Sequence, residues 1–371
     1  MDHAIGVSMN YAIFCQRPEA AYQMDHLAVI SCITGAPLLV TDVEVEEKVR
    51  HYYPGAQVSC EEWRTFLPEP LVSTYDVLFY SHFWGRKAFR ETFGEAEAVY
   101  GKKLRSVFCS HGNSDKGIEL DNFFERFAEE DISLLYGDRM IEILKSKGVF
   151  DKLAGHVVTG NYRYTYYEQH LQYHDKLVQE EVFSRFAKQQ PTIFYAPTAQ
   201  SFDVTSSIIG TYTHILDKLP DHYNLVVKLH PYFAAFMPAA YELFLARYEH
   251  KRNIVILGNY PLVLPLLSAC SIFVGDISSV GYDCLPFAKP MFFFHAYEED
   301  LKEDPRFFLY QCGSIIKPSQ YAQFYSIVEA ALPRDQELFG EIRKKMCRYV
   351  FAPKRTFEEI RKDIVMSLEK R

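Results

Sequence analysis

The chain is poor in everything that would mark it as secreted, membrane-spanning or metal-built. Its eight cysteines, at positions 15, 32, 60, 109, 270, 284, 312 and 347, form no CxxC pair, no CxxCH and no Cys/His cluster at zinc-ligand spacing. They read as reduced, mostly buried thiols. No basic region precedes an apolar run at the start, where Met1 to Cys15 carries Asp2 and His3, so no secretory signal is visible and a cytoplasmic location is expected. The longest apolar stretch, Leu262 to Val274, is broken by Pro265 and Ser268 and falls short of the roughly 20 residues that span a bilayer. Positive charge is also lacking. A formal net charge of -8 argues against a protein that coats nucleic acid, because such binding needs surplus cations to displace phosphate counterions. With only 18 Gly and 18 Pro in 371 residues, collagen-like and low-complexity classes are excluded as well.

What is present is apolar and aromatic. Hydrophobic residues make up 48% of the chain, including 29 Phe and 26 Tyr, enough for a large core, and the length fits about two domains. Short runs rich in Val, Ile, Phe and Leu alternate with longer amphipathic stretches, the pattern of parallel strands covered by helices. The expected strands are 37–40, 77–80, 105–110, 134–136 and 156–159 in the first half. In the second they are 192–196, 224–229, 253–257, 271–274, 291–294 and 314–316. A polar, aromatic stretch with helical spacing separates the two sets and is closed by Pro191. The reading is therefore α/β, with two Rossmann-like, doubly wound domains facing each other across a cleft. Residues 1–165 form the first domain, 166–190 a linker, 191–332 the second domain, and 333–371 two helices separated near Pro353. From Glu341 to Arg371 there are ten Lys/Arg against five Asp/Glu, a net of +5, which leaves -13 for the rest. That end suits either docking on an anionic membrane or a solvated helical face packed on the acidic body.

Three strand ends carry chemistry. In Ile272-Phe273-Val274-Gly275-Asp276-Ile277-Ser278-Ser279 an apolar strand enters a small polar turn, and the two serines stand where a helix begins. Free N–H groups, hydroxyl donors and the helix dipole make a natural pyrophosphate site there; the same residues also serve as ordinary caps. In Val226-Val227-Lys228-Leu229-His230-Pro231 a strand ends in Lys and His, at the edge where open α/β sheets bind ligands. In Val107-Phe108-Cys109-Ser110-His111-Gly112-Asn113-Ser114-Asp115-Lys116-Gly117 a strand feeds a loop with a His, a Lys and two glycines that let backbone approach a ligand. Histidine is suited to take a proton from an attacking hydroxyl near neutral pH. Its place at an equivalent strand end lets His111 face His230.

Together these pieces resemble the CDP-glycerol:poly(glycerophosphate) glycerophosphotransferase family. The matching motifs are HG...KG at 111–117, TG.YR at 159–163, YAPT at 195–198, KLHP at 228–231 and D.SS...D.....KP at 276–290, in the family's order. The resemblance implies a GT-B fold, with a CDP-linked donor on the second domain and the acceptor, a polyol, sugar or lipid-linked glycopolymer, approaching from the first. It implies that His111 is the base and that His230 contacts the donor phosphate. Lys228, Thr198, Ser278 and Ser279 would hold the donor, with Asp276 beside the alditol or ribose, and Gly112, Lys116 and Arg163 would line the acceptor side or the cleft. An alditol phosphate would pass to an acceptor hydroxyl with CMP released, at the inner face of the membrane if the basic end docks there.

Departures accompany the likeness. Asn113-Ser114 stands where the family has TP, Ala199-Gln200 follows YAPT in place of an aromatic and Arg, and Tyr162 stands before Arg163 where a Pro is more usual, an expected loosening of the interdomain turn. These leave two other readings open: a GT-B glycosyltransferase or 2-epimerase using UDP-sugars, or a catalytically silent relative. His170 and His174 share a helical face but Leu171 replaces the Glu of HExxH, and no DxD motif occurs, so a metal-free transferase without cofactor is expected.

Overall fold

Two parallel sheets account for the alternating pattern. The computed structural model describes residues 9–15, 21–82, 90–113, 115, 123–198, 206–299 and 303–370. The first sheet contains β1 (Tyr11–Phe14), β2 (Leu38–Val40), β3 (Val58–Cys60), β4 (Val77–Tyr80), β5 (Arg105–Cys109), β6 (Ile132–Leu135) and β7 (His156–Val158), in the order β3-β2-β1-β4-β5-β6-β7. The second contains β8 (Thr192–Ala196), β9 (Asn224–Lys228), β10 (Ile254–Leu257), β11 (Ile272–Gly275), β12 (Met291–Phe294) and β13 (Ser314–Ile316), in the order β10-β9-β8-β11-β12-β13. Each order reverses beside a central strand, between β1 and β4 and between β8 and β11. Crevices outside the strand C-termini at such switch points are where doubly wound sheets take ligands. The architecture is α/β and GT-B-like.

Two strands escaped the sequence reading. β1 is a four-residue run without alternation, and β3 is an edge strand with only Val58 buried, so neither carries a strong apolar signal. β6 begins at Ile132 rather than Leu134.

Period-two alternation divides the second sheet's core. Phe194, Val226, Phe273 and Phe293 join a buried cluster continuous with the first domain, while Tyr195, Val227, Val274, Phe292 and Phe294 belong to a separate cluster on the other face. Between the sheets run helices Tyr162–Gln169 and Leu171–Glu181, opened by Asn161, whose side chain accepts the Tyr164 N–H at 3.1 Å. Tyr162 does not loosen this turn. It is buried and stacked on Tyr136, ring centroids 5.7 Å apart and 9° from parallel, so its aromatic area replaces the stiffness of a proline.

The chain ends in helices Phe324–Phe351 and Phe357–Glu369, broken where expected near Pro353. The first of them starts well before Pro333, which lies inside it. Buried Phe324 and Val328 anchor the extra turns against the second sheet's outer cluster, and this packing overrides the proline's missing N–H. The segment between the helices crosses the first domain so closely that a β-carbon on Gly137 would lie 2.6 Å from Ala352 N. Several cations of the basic end are engaged within the protein. Arg343 is fully buried on both carboxylate oxygens of Asp335, at 2.6 Å each; Arg355 reaches the Val158 carbonyl at 2.6 Å; Arg361 reaches that of Ile33. Lys344, Lys345, Arg348, Lys354, Lys362 and Lys370 remain exposed. No described helix is long and apolar enough to cross a membrane.

Candidate active site

The turns after β4, β5, β8, β9 and β11 converge on one cavity of about 480 Å³ between the domains. Of the residues singled out in the sequence, His111, Gly112, Arg163, Thr198, Lys228, His230, Ser278 and Ser279 all line it. Lys116, and Ala199-Gln200 after YAPT, lie outside the described residues. Asp276 is not on the wall. Its carboxylate is buried beneath it, where Oδ2 accepts the backbone N–H groups of Thr198 at 2.8 Å and Ser207 at 3.2 Å and so ties down the loop after β8.

The two histidines are held in opposite states. His111 Nδ1 lies 3.1 Å from the Ser81 carbonyl, which can only accept, so Nδ1 carries the hydrogen and Nε2 of the neutral ring is a proton acceptor. His230 Nδ1 accepts the Tyr232 N–H at 3.2 Å, so its hydrogen sits on Nε2, which is a donor. One imidazole is thus set to take a proton and the other to give a hydrogen bond.

Lys228 ends β9 and is 9% exposed. Burial, opposed by Asp25 and reinforced by Arg163, pulls its ammonium down to about 8. Three buried atoms of the wall, Ser81 Oγ, Asn113 Nδ2 and Ser278 Oγ, have no hydrogen-bond partner among the described residues. Ser278 precedes helix Ser279–Cys284 at its N-cap position, yet its side chain makes no capping bond. Buried polar groups are rarely left unmet, so this wall is built for a polar occupant.

Helix Ser279–Cys284 also joins the domains. Ser279, Tyr282 and Asp283, spaced i, i+3, i+4, share the face that meets the first domain. Gly112, at φ +110, presses on Ser279 so closely that an added β-carbon would sit 2.7 Å from Ser279 Cβ. The Tyr282 hydroxyl donates to Asp115, which also takes Arg139 Nη2 at 2.6 Å. Asp115 is therefore an interdomain anchor. Asp283 receives Arg163 Nη1 at 2.8 and 3.0 Å, while Arg163 Nε bonds Asp25 at 2.7 Å. Arg163 lines the cavity, but its guanidinium is spent between two buried carboxylates.

Sequence reading missed Asp25 and His26, both on the wall and both on helix Ala21–Thr34. Their only local signal is polarity in an otherwise apolar helix. His170 and His174 bind backbone carbonyls of Tyr166 and Tyr52, at 3.0 and 2.9 Å.

The model of the family described as CDP-glycerol:poly(glycerophosphate) glycerophosphotransferase matches residues 159–350, just over half of the chain. The chain belongs to this family. It is a transferase, and the matched span carries Arg163, Thr198, Lys228, His230, Ser278 and Ser279, with His111 upstream of it. Solved structures share the fold of this glycerophosphotransferase-family chain. The wall teichoic acid polymerase TagF is 14% identical at a TM-score of 0.64, over 97% of this chain and 88% of that one. S. aureus MnaA, solved with UDP, is 13% identical at 0.60, over 98% and 96%. Anabaena HepE, solved with UDP-glucose, is 12% identical at 0.52, over 98% and 100%. At such identities the likeness is one of fold. No curated protein matches the chain.

Proposed function

We propose that this chain transfers an alditol phosphate, of the glycerol phosphate type, from a CDP-linked donor to an acceptor hydroxyl on a glycopolymer or glycolipid. The observation that carries the reading is the opposite fixing of His111 and His230 on one cavity. The acceptor hydroxyl gives its proton to His111 Nε2 as its oxygen bonds to the distal phosphorus. The bond from that phosphorus to the bridging oxygen breaks, and CMP leaves with the electron pair. His230 Nε2–H and the Lys228 ammonium face the charge that grows on the phosphoryl oxygens, and Ser278 and Ser279 hold the pyrophosphate. The Lys228 cation and the His230 N–H supply this stabilisation, which supports a reaction that needs no divalent metal. The exposed lysines of 341–370 suit an acceptor anchored in an anionic membrane.

Fold alone does not choose the donor, since MnaA and HepE carry UDP or a UDP-sugar on the same architecture. Mass spectrometry of the nucleotide released from CDP-glycerol, CDP-ribitol, UDP-glucose and UDP-N-acetylglucosamine, with and without EDTA, tests the reading. CMP from a CDP-alditol, undiminished by EDTA, supports it. UDP released from a sugar nucleotide, with no CMP, would replace it with the glycosyltransferase reading.

A further inference from the structure

His26 is 3% exposed and lines the cavity. Its ring is clamped from behind. The Tyr136 hydroxyl donates to the Ser110 carbonyl at 2.9 Å, so it accepts from His26 Nδ1–H, also at 2.9 Å, with Tyr162 Oη at 3.3 Å on the same nitrogen. This chain runs from His26 through Tyr136 to the residue before His111, which couples the two imidazoles rigidly. Nδ1 being the donor, Nε2 holds a lone pair, and no group among the described residues hydrogen-bonds to it. The ring edge points toward the His111 loop: His26 Cε1 lies 3.9 Å from where a β-carbon on Gly112 would be. Burial, the Arg163 guanidinium and His111 hold the ring well below the usual imidazole range, so it stays neutral. A neutral acceptor on the cavity wall, with no partner among the described residues, is open to a donor that arrives with the substrate.

We infer that His26 is an acceptor-positioning residue whose Nε2 takes a hydrogen bond from a second acceptor hydroxyl, adjacent to the one that His111 deprotonates, so that the site selects acceptors ending in neighbouring hydroxyls. This rests on the proposed transferase reading. A proton is not transferred to His26. It orients the diol so that the reacting hydroxyl meets His111 Nε2 and the phosphorus together.

The test compares a glycerol phosphate-ended acceptor with the analogue lacking the second hydroxyl, using CDP-glycerol as donor. His26→Asn keeps an amide near Nδ1, for Tyr136, and removes the acceptor at Nε2; His26→Gln carries an oxygen toward the Nε2 position. In His26→Asn the acceptor KM should rise about tenfold for the diol and stay unchanged for the analogue. Its affinity for CDP and the acidic limb of its pH profile should match wild type. His26→Gln should keep the preference for the diol. If wild type and His26→Asn prefer the diol equally, the positioning role is wrong while the transferase reading stands. If wild type releases no CMP with either acceptor, both fall.

Discussion

Gly112 and Ser279 touch across the cleft with no room for a β-carbon between them: one built on Gly112 would lie 2.7 Å from Ser279 Cβ. The His111 loop of one domain and the helix that Ser279 opens in the other are therefore held in register by contact between the Gly112 backbone and the Ser279 side chain. Gly112→Ala should lower stability through two effects. Its φ of +110 costs a β-carbon-bearing residue roughly 1–3 kcal/mol. The collision adds about as much again. Adding Ser279→Gly should recover only the second part, readable as partial restoration of the denaturation midpoint.

Arg163 is the next clamp. Replacing it with Met leaves Asp25 and Asp283 buried without their cation, an expected loss of about 3–5 kcal/mol in urea unfolding. The deficit should shrink as pH falls, because burial already pushes Asp283 up and protonated carboxyls no longer need the guanidinium. A loss below about 1 kcal/mol would show that the triad does not hold the domains.

Lys228 gives opposite pH slopes for binding and stability. Its ammonium, pulled down to about 8 from an ordinary 10.5, is charged below that pH and neutral above it. CDP affinity measured by calorimetry should fall as pH rises through about 8. Lys228→Met should bind roughly ten- to a hundredfold more weakly at pH 7 and show a flatter profile. In the empty enzyme, the unfolded chain binds the extra proton between about 8 and 10.5, so this group's contribution to stability rises over the same range.

The strand ends that line the cavity were legible because βα turns concentrate polar residues just where an apolar run stops. Lys228-Leu229-His230, Ser278-Ser279 and His111-Gly112 all reach the cavity for that reason. What was hidden is long-range or inside an element. Asp25 is 138 residues from Arg163 and Asp283 is 120 from it, and one sequence holds no trace of that pairing. His26 sits on a helix that otherwise reads as core. Asp276 looked like a ligand contact from its motif, but its depth below the wall depends on the backbone N–H groups of Thr198 and Ser207. β1, central in its sheet, was missed because four residues are too few to show a period.

The opposite roles of His111 and His230 are the centre of the account, and CMP release by two variants tests them most directly. With CDP-glycerol and a poly(glycerophosphate) acceptor, His111→Ala should lose about 10²-fold or more in turnover. Its affinity for CDP should stay within about twofold of wild type, because Nε2 of His111 acts on the acceptor and not on the donor. His230→Ala should lose both turnover and CDP affinity. Wild-type CMP release by His111→Ala, or wild-type CDP affinity in His230→Ala, would contradict the assignment.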